Sequence, residues 1–318
     1  METTDYDLFN GDADGICALH QLRLARPRAA MLITGVKREI GLLARLPRGA
    51  GARITVLDVS LEKNRADLLR LLDDGATIDY FDHHHAGAIP DHPRLNARID
   101  TDAARCTSLI VDEELGGAHR LWAAVGAVGD NLIEPARRCL GDLPEEECAR
   151  LQQLGTLLNY NGYGVTLDDL HFHPAELYRA IHPFADPRAF IAEHPAYATL
   201  EAGYRDDMAR IEAVEMEQVG PRACLLRLPD AGWSRRASGV YGNLLARRHP
   251  ERAHALATRL PQGGWRISVR APLSDRQGAE RLCMAFPTGG GRAAAAGINA
   301  LPDGELERFI AAFRDHWR

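Results

Sequence analysis

The residues of this chain best able to do chemistry form four short groups of aspartates and histidines within its first 130 positions. In sequence order they are Asp12 with Asp14, then Asp58, then Asp82 with His83 and His84, and finally Asp130. Mixed carboxylate and imidazole ligands suit Mn²⁺ or Mg²⁺, and a centre of that kind can activate water to hydrolyse a phosphate ester or anhydride. One Asp-His-His sequence is weak evidence, whereas four groups in this order predict a metal-dependent phosphate hydrolase.

Each group taken alone has a simpler structural explanation. Asp12, Asp14 and Gly15 could be a turn followed by a helix cap, because aspartate is common at both. Asp58 could likewise cap a following helix, and Asp130 could end one. These explanations require four independent coincidences in the right order, so we favour the metal site over them.

The segments around these groups alternate between strand-like and helix-like patterns. Strands are predicted at residues 6–10, 31–34, 54–58, 76–81 and 97–99, and helices at 15–25, 61–72 and 121–128. Repeated strand–helix units predict an α/β fold with a mostly parallel, doubly wound sheet that helices cover on both faces. Ligands of such sheets gather at the carboxyl ends of the strands, which is where Asp12, Asp58 and Asp82 fall.

The second half of the chain is predicted to contain a separate, smaller α/β domain. Residues 135–215 have helix-like spacing and no comparable group of site residues, and 200–217 is typical of a connecting helix. Strand patterns return after residue 222. We therefore predict a metal-binding domain at 1–190, a helical linker at 191–218 and a second, substrate-binding domain at 219–318.

Charge is distributed unevenly along the chain. The net charge is −6 overall, but residues 216–318 contain 16 arginines, no lysine and 9 acidic residues, which gives +7 there and −13 for residues 1–215. An acidic part that holds cations and a basic part that holds an anionic substrate would explain this asymmetry. A solvated surface in a chain that prefers arginine explains it equally well, since the only lysines are Lys37 and Lys63.

The composition is that of an ordinary globular protein, with 46% hydrophobic and 26% charged residues. No apolar stretch approaches the roughly 18–20 residues that a membrane-spanning helix needs, and the acidic start of the sequence does not resemble a signal or transit peptide. The six cysteines are scattered without a CxxC pair, which favours reduced thiols over a disulfide framework. We therefore expect a cytoplasmic protein.

A run of three glycines, Gly289, Gly290 and Gly291, is followed by Arg292 and a stretch of alanines. The run could be a flexible loop. Its position after strands and before small residues instead favours a loop that brings backbone N–H groups to an anion at a helix start.

Five motifs together resemble those of a known superfamily. FNGDADG, VLDVS, FDHH and AVGAVGD are similar to the four motifs of the DHH phosphoesterase superfamily, and GGGRAAAAG is similar to the glycine-rich motif of its DHHA1 partner domain. The resemblance spans the chain and the motifs occur in the right order. The superfamily includes single-strand-specific exonucleases, nano-RNases, cyclic-dinucleotide phosphodiesterases, exopolyphosphatases and type II pyrophosphatases. The resemblance implies a two-domain enzyme that has its active site in the cleft between the domains and usually depends on Mn²⁺.

The resemblance also implies roles for individual residues. Two Mn²⁺ ions, with Mg²⁺ as the alternative, would be held by Asp12, Asp14, Asp58, His83 and Asp130. Asp58 would bridge the two ions, hydroxide would attack the phosphorus, and His84 would face the scissile phosphate as a catalytic residue. The substrate would be gripped by Arg270 together with Gly289, Gly290, Gly291 and Arg292.

Two positions depart from the superfamily pattern. Many relatives have a histidine four residues before the first aspartate of motif one, where this chain has Leu8, so we expect the first metal to be held less tightly or to need substrate oxygens. The glycine motif commonly continues with histidine, where this chain has Arg292, a phosphate clamp that cannot donate a proton near neutral pH. Outside the motifs, Lys37 and Arg38 follow the second predicted strand, where they could reach a phosphate or be ordinary surface residues.

The favoured substrate is a short nucleotide, namely an oligoribonucleotide of a few residues, a linear dinucleotide or a nucleoside bisphosphate. Inorganic polyphosphate or another phosphoanhydride is the alternative, because arginine-rich sites suit it and the 6% aromatic content offers few platforms for base stacking. A third hypothesis is a metal-dependent nucleotide sensor without turnover. Neither long duplex nucleic acid nor a membrane is predicted as a partner, and the sequence leaves the oligomeric state open.

Overall fold

The computed structural model describes residues 5–47 and 51–318, and the chain divides into two compact units. The first unit extends to Ala202, and the second runs from Gly203 to Arg318. The helix Pro195–Glu212 crosses this division, in the region where the sequence predicts a helical linker. Among the described residues, no helix combines the length and the apolar character needed to cross a bilayer.

The first unit contains a parallel sheet together with most of the helices. Its strands are β1 (Asp5–Phe9), β2 (Met31–Ile33), β3 (Arg53–Leu57), β4 (Thr77–Asp82) and β5 (Leu95–Ile99). Its helices are α1 (Ala13–Ala25), α2 (Leu61–Asp73), α3 (Thr107–Glu114), α4 (Arg120–Gly129), α5 (Ile133–Leu140), α6 (Glu145–Gly162), α7 (Pro174–Ile181), α8 (Pro187–Glu193) and the start of α9 (Pro195–Glu212). The strand order is β2-β1-β3-β4-β5 with parallel pairing throughout. This confirms the predicted α/β class with a parallel sheet.

The strands that lead to the site residues are apolar because both faces of the sheet are covered. Residues 54–57 of β3 are all buried. On one face, Leu8 of β1 and Val56 of β3 pack with Leu68 and Leu72 of α2. Leu8 is fully buried in this core. The packing fixes the strand ends and therefore the starting points of the loops that follow them.

The second unit contains a mixed sheet. Its strands are β6 (Met216–Gly220), β7 (Ala223–Leu228), β8 (Ala253–Arg259), β9 (Trp265–Arg270), β10 (Gly289–Arg292) and β11 (Ala295–Leu301), and its helices after α9 are α10 (Gly232–Arg248), α11 (Ala279–Met284) and α12 (Leu306–His316). The strand order is β10-β11-β9-β8-β7-β6, in which β7 and β8 are parallel and the other neighbours antiparallel. Ile267 and Val269 of β9 share a core with Phe309 and Phe313 of α12. The second α/β domain is therefore present as predicted.

The triple glycine lies in a strand and not in a loop at a helix start, which corrects the interpretation from the sequence. Gly289–Arg292 is β10, and it pairs antiparallel with β11, so the alanines that follow form a turn and the next strand. A Cβ at Gly289 would lie 1.8 Å from the carbonyl oxygen of Cys283, and one at Gly291, where φ is 143°, would lie 2.4 Å from the backbone of β11. A Cβ at Gly290 would meet nothing within 4 Å. Close packing thus explains two of the three glycines.

Gly289→Ala should destabilise the second unit, because its Cβ would overlap the Cys283 carbonyl oxygen and overpacking typically costs about 1–3 kcal/mol. Gly290→Ala is the matched control and should change the free energy of unfolding by less than about 0.5 kcal/mol. Urea denaturation followed by circular dichroism measures both variants. Equal losses of stability in the two would contradict the packing role of Gly289.

Candidate metal centre

Three neighbouring strands of the first sheet bring predicted site residues to its carboxyl edge. β1 leads to Asp12, which is the N-cap of α1, β3 ends immediately before Asp58, and β4 ends at Asp82, next to His83. Because these strands are adjacent and parallel, their carboxyl ends meet at one edge of the sheet. The structure therefore brings Asp12, Asp58 and His83 together where the sequence predicts.

Two helix ends add the remaining aspartates. Asp14 lies in the first turn of α1 and is fully buried. Its carboxylate oxygens accept the backbone N–H groups of Thr107 and Ser108, each at 2.7 Å. These residues begin α3, whose first N–H groups have no partner within their own helix, and the contacts therefore fix Asp14 in place. Asp130 is the C-cap of α4.

The imidazole of His83 lies between two of these carboxylates. Its Nε2 is 3.3 Å from Oδ1 of Asp58 and 3.2 Å from Oδ2 of Asp130. Ligand atoms of Asp14, His83 and Asp130 all lie within 4.8 Å of one another, and the same holds for Asp58, His83 and His84. Both groups contain His83, so they describe one centre. Its candidate donors are Asp14, Asp58, His83 and Asp130, with His84 beside them.

This donor set fits a divalent cation. Neighbouring ligand atoms of an octahedral ion with bonds of about 2.1 Å lie about 3 Å apart. His83 keeps nearly that spacing from Asp58 and Asp130. Three carboxylates and one imidazole are also the ligand types that suit Mn²⁺ or Mg²⁺.

Burial and mutual repulsion make the centre attractive to a cation. Burial raises the pKa of Asp14, and the neighbouring Asp130 raises it further. Burial, together with Asp12 and Asp14, raises the pKa of Asp58 well above its usual value. Without a cation these carboxyl groups tend to hold protons that an ion must displace, so ion binding releases protons and strengthens as the pH rises.

Asp58 has a left-handed backbone conformation, with φ of 59°. This conformation is uncommon outside glycine, although aspartate tolerates it better than most residues. The N–H of Asp58 donates to the carbonyl oxygen of Phe81 at 3.0 Å, and Oγ1 of Thr107 donates to its Oδ1 at 3.3 Å. A backbone held in a sparsely populated region is typical of functional sites.

Asp12 differs from the other four predicted metal ligands. Its Oδ1 accepts the N–H of Gly15 at 3.1 Å, and its Oδ2 forms an ion pair with Nζ of Lys37. Nζ also lies 3.0 Å from Oδ1 of Asn159 and 3.4 Å from Oδ1 of Asp130. Burial alone would lower the pKa of Lys37, but Asp12 and Asp130 reverse that effect and hold the pKa well above its usual value. Lys37 is therefore a cation beside the centre.

The motifs do not identify every residue of this region. The sequence marks Lys37 only as a residue after the second predicted strand that could reach a phosphate or lie on the surface. Its partner Asn159 is 122 positions away on α6, and no spacing in the sequence connects them. Thr107 likewise reaches the centre only through the packing of α3 beside α1.

His84 is held beside the centre by a buried carboxylate. Its Nδ1 lies 2.7 Å from Oδ1 of Asp82 and 3.9 Å from Oδ1 of Asp58. Asp82 is fully buried and also accepts the N–H of His83 at 2.8 Å. Burial lowers the pKa of His84, but the hydrogen bond to Asp82 and the charges of Asp58 and Asp82 outweigh burial and raise the pKa. Because the side chain is 35% exposed, a ligand can reach this imidazole.

The predicted substrate-binding arginines lie in the second unit. Arg270 ends β9, and its Nε donates to Oδ1 of Asn243 at 2.7 Å. Arg292 ends β10 and is exposed. Ala295 of β11 pairs with Arg292 on one side and with Arg270 on the other. Cross-strand partners project from the same face of a sheet, so the two arginines lie in one row on one face.

Comparison with solved structures finds similar folds that extend over nearly the whole chain. The exonuclease RecJ bound to manganese is 18% identical with a TM-score of 0.60, and the match covers 99% of this chain and 90% of that one. RecJ from Thermus thermophilus in complex with Mn²⁺ is also 18% identical, with a TM-score of 0.59, and the match covers 99% of this chain and 52% of that one. This chain thus spans about half the length of the Thermus thermophilus protein.

An exopolyphosphatase-related protein from Bacteroides fragilis is 12% identical with a TM-score of 0.52, and the match covers 99% of this chain and 91% of that one. No protein-family model and no curated protein matches the sequence. At these identities the likeness concerns the fold. The chain shares its fold with these proteins, and its two α/β units are consistent with the DHH and DHHA1 fold that the motifs predict.

Proposed function

We propose that this protein is a hydrolase that uses a divalent metal ion to cleave phosphodiester or phosphomonoester bonds of short nucleotides. The observation that carries the proposal is that His83 lies in two overlapping groups of possible ligands, one with Asp14 and Asp130 and the other with Asp58 and His84. The fold supports the proposal, since similar structures include a manganese-bound exonuclease and an exopolyphosphatase-related protein.

The chain's contribution to metal binding is a set of donors held in place before the ion arrives. Asp14 is fixed by the first N–H groups of α3, and Asp58 by its hydrogen bond to Phe81. We prefer Mn²⁺ to Mg²⁺ because one donor is the imidazole nitrogen of His83. When bound, the ion polarises a phosphoryl oxygen and lowers the pKa of water.

His84 would donate a hydrogen bond or a proton to the substrate. Because Nδ1 is bound to Asp82, the Nε2–H of the protonated ring is the group that can reach a phosphoryl oxygen or the leaving oxygen. Asp82 keeps the ring oriented and compensates its charge. Acid–base groups positioned in this way typically contribute about 10²–10⁴ in rate.

Arginines of the second unit would bind the anionic end of the substrate. Arg270 and Arg292 share one row of the sheet, and residues 216–318 carry a net charge of +7. A guanidinium group can bind phosphate through two parallel hydrogen bonds and keeps its charge at all relevant pH values.

Hydrolysis of polyphosphate or another phosphoanhydride is the alternative function. It is favoured by the 16 arginines of residues 216–318 and by the 6% aromatic content of the chain. Proteins that hold single-stranded nucleotides usually stack the bases on aromatic side chains, and a polyphosphate needs no such platform.

A substrate panel with the purified protein and Mn²⁺ tests the proposal. Release of mononucleotides or phosphate from dinucleotides, short oligoribonucleotides or nucleoside bisphosphates supports it, provided that Asp130→Asn is folded and inactive. Chelation should abolish the activity, and Mn²⁺ should restore it better than Ca²⁺, which prefers more oxygen ligands. Faster phosphate release from polyphosphate or pyrophosphate would favour the alternative. Nucleotide binding without turnover of any substrate would contradict both and indicate a sensor.

Replacing each of the two adjacent histidines by alanine should separate the effect on metal binding from the effect on catalysis. His84→Ala should lower kcat by about 10²–10⁴ and retain Mn²⁺ affinity, because the side chain donates to the substrate. His83→Ala should weaken Mn²⁺ binding, because its Nε2 lies between Asp58 and Asp130. Isothermal titration with Mn²⁺ and steady-state kinetics measure the two effects. The same loss of Mn²⁺ affinity in both variants would show that the division of roles is wrong.

Arg292→Ala should raise KM at least about tenfold for substrates with a free terminal phosphate, since hydrogen bonds to charged groups contribute about 1.5–3 kcal/mol. Its effect on kcat should be smaller if the contact is equal in the ground and transition states. The matched control is Arg318→Ala, which removes an exposed arginine at the end of the chain. Steady-state kinetics on substrates with and without a terminal phosphate measures the effect. An unchanged KM for both would remove Arg292 from the substrate site.

A further inference from the structure

The ammonium group of Lys37 lies among oxygen atoms in the manner of a bound metal ion. Oδ2 of Asp12 is its ion-pair partner, Oδ1 of Asn159 lies at 3.0 Å, and Oδ1 of Asp130 lies at 3.4 Å. These oxygens come from the N-cap of α1, from α6 and from the C-cap of α4. A surface lysine would instead extend into solvent, whereas the side chain of Lys37 is only 22% exposed.

The backbone of Lys37 is anchored on both sides. Its N–H donates to the carbonyl oxygen of Gly162 at 2.9 Å, and its carbonyl oxygen accepts Nδ2 of Asn10 at 3.1 Å. Gly162 itself packs against Asp12, since a Cβ there would lie 3.1 Å from Cβ of Asp12. The loop after β2 therefore presents the ammonium group from a fixed base.

The position of Lys37 removes the donors that a second divalent ion would need. Both oxygens of Asp12 are engaged, one by the N–H of Gly15 and the other by Lys37. Leu8 on β1 is fully buried in the apolar core and offers no donor. Neither of the candidate ligand groups among the described residues includes Asp12.

Asp130 connects Lys37 to the metal centre. Its Oδ2 lies 3.2 Å from Nε2 of His83, and its Oδ1 lies 3.4 Å from Nζ of Lys37. One carboxylate thus faces the divalent-ion position on one side and the ammonium group on the other, as a carboxylate shared by two cations does.

We propose that Lys37 is the second cation of this centre, so that the protein binds one divalent ion, at Asp14, Asp58, His83 and Asp130, and not two. The inference rests on the proposed function only in assuming that a divalent ion binds. Lys37 supplies a fixed positive charge beside the phosphate position but, unlike a metal ion, binds no water as a ligand. Asp12 is then the partner of Lys37 and not a metal ligand.

The number of bound ions is the direct test. After equilibration with excess Mn²⁺ and removal of free ion, elemental analysis should give one Mn²⁺ per wild-type chain. The electron paramagnetic resonance spectrum should be that of an isolated Mn²⁺. Lys37→Met removes the ammonium group from beside Asp12, Asn159 and Asp130, so it should bind two ions and show an exchange-coupled pair. Lys37→Arg, which keeps the charge, and Lys63→Met, which removes the other lysine, should stay at one ion.

Asp12→Asn and Asp14→Asn provide a second measurement that does not depend on the lysine variants. Asp12→Asn should change the Kd for Mn²⁺ by less than tenfold, while Asp14→Asn should raise it by 100-fold or more. If Lys37→Met does not fold, the ion count is made on Lys37→Gln, which keeps a polar group beside Asp12 and Asn159.

Two ions in the wild-type protein, one ion in Lys37→Met and Lys37→Gln, or equal effects of Asp12→Asn and Asp14→Asn would each overturn the inference. Hydrolysis assays on the same samples separate this failure from failure of the proposed function. If the wild-type protein binds two ions and hydrolyses substrate, the proposed function is supported and Lys37 is not the second cation. No bound ion and no hydrolysis overturn both.

Discussion

Crowding of buried negative charge at the carboxyl edge of the first sheet is the constraint on which the site depends. The crowded carboxylates are those of Asp12, Asp14, Asp58 and Asp130. Burial and neighbouring carboxylates raise the pKa of Asp14 and of Asp58, so the cluster needs positive charge or N–H donors to compensate its negative charge. The first N–H groups of α3 compensate Asp14, the ammonium of Lys37 compensates Asp12, and His83 lies between the other two. The charge that remains is what a divalent ion neutralises.

The apolar core converts this charge cluster into a defined geometry. Residues 54–57 of β3 are buried and close-packed with neighbouring side chains, so the strand is held in one position and the loops leave the sheet at fixed points. α4 is buried almost throughout, which holds Asp130 at its end. Packing elsewhere thus determines where the side chains of the site start, and hydrogen bonds within the site set their orientation.

Much of the fold and of the site could be predicted from the sequence because the signals are local. Asp58 and His83 directly follow strands, and a strand can be recognised from the apolar pattern of a few consecutive residues. The place of Lys37 could not be predicted, since it depends on the path of α6 and on Asn159. The sequence pattern of the triple glycine predicts the wrong element, because phosphate-binding loops and close-packed strands both favour residues without a side chain. Only the pairing of β10 with β11 distinguishes the two.

The left-handed backbone at Asp58 places a second demand on a residue already required for its charge. Most side chains are disfavoured there by about 1–2 kcal/mol, while glycine and asparagine fit. Neither of those residues carries a carboxylate, and glutamate, which does, lacks the short side chain that makes this conformation tolerable. Backbone and ligand chemistry are thus met together by one amino acid. Replacing Asp58 therefore loses either the carboxylate or the favourable backbone conformation. Asp58→Asn removes the charge alone, whereas Asp58→Ala also adds backbone strain.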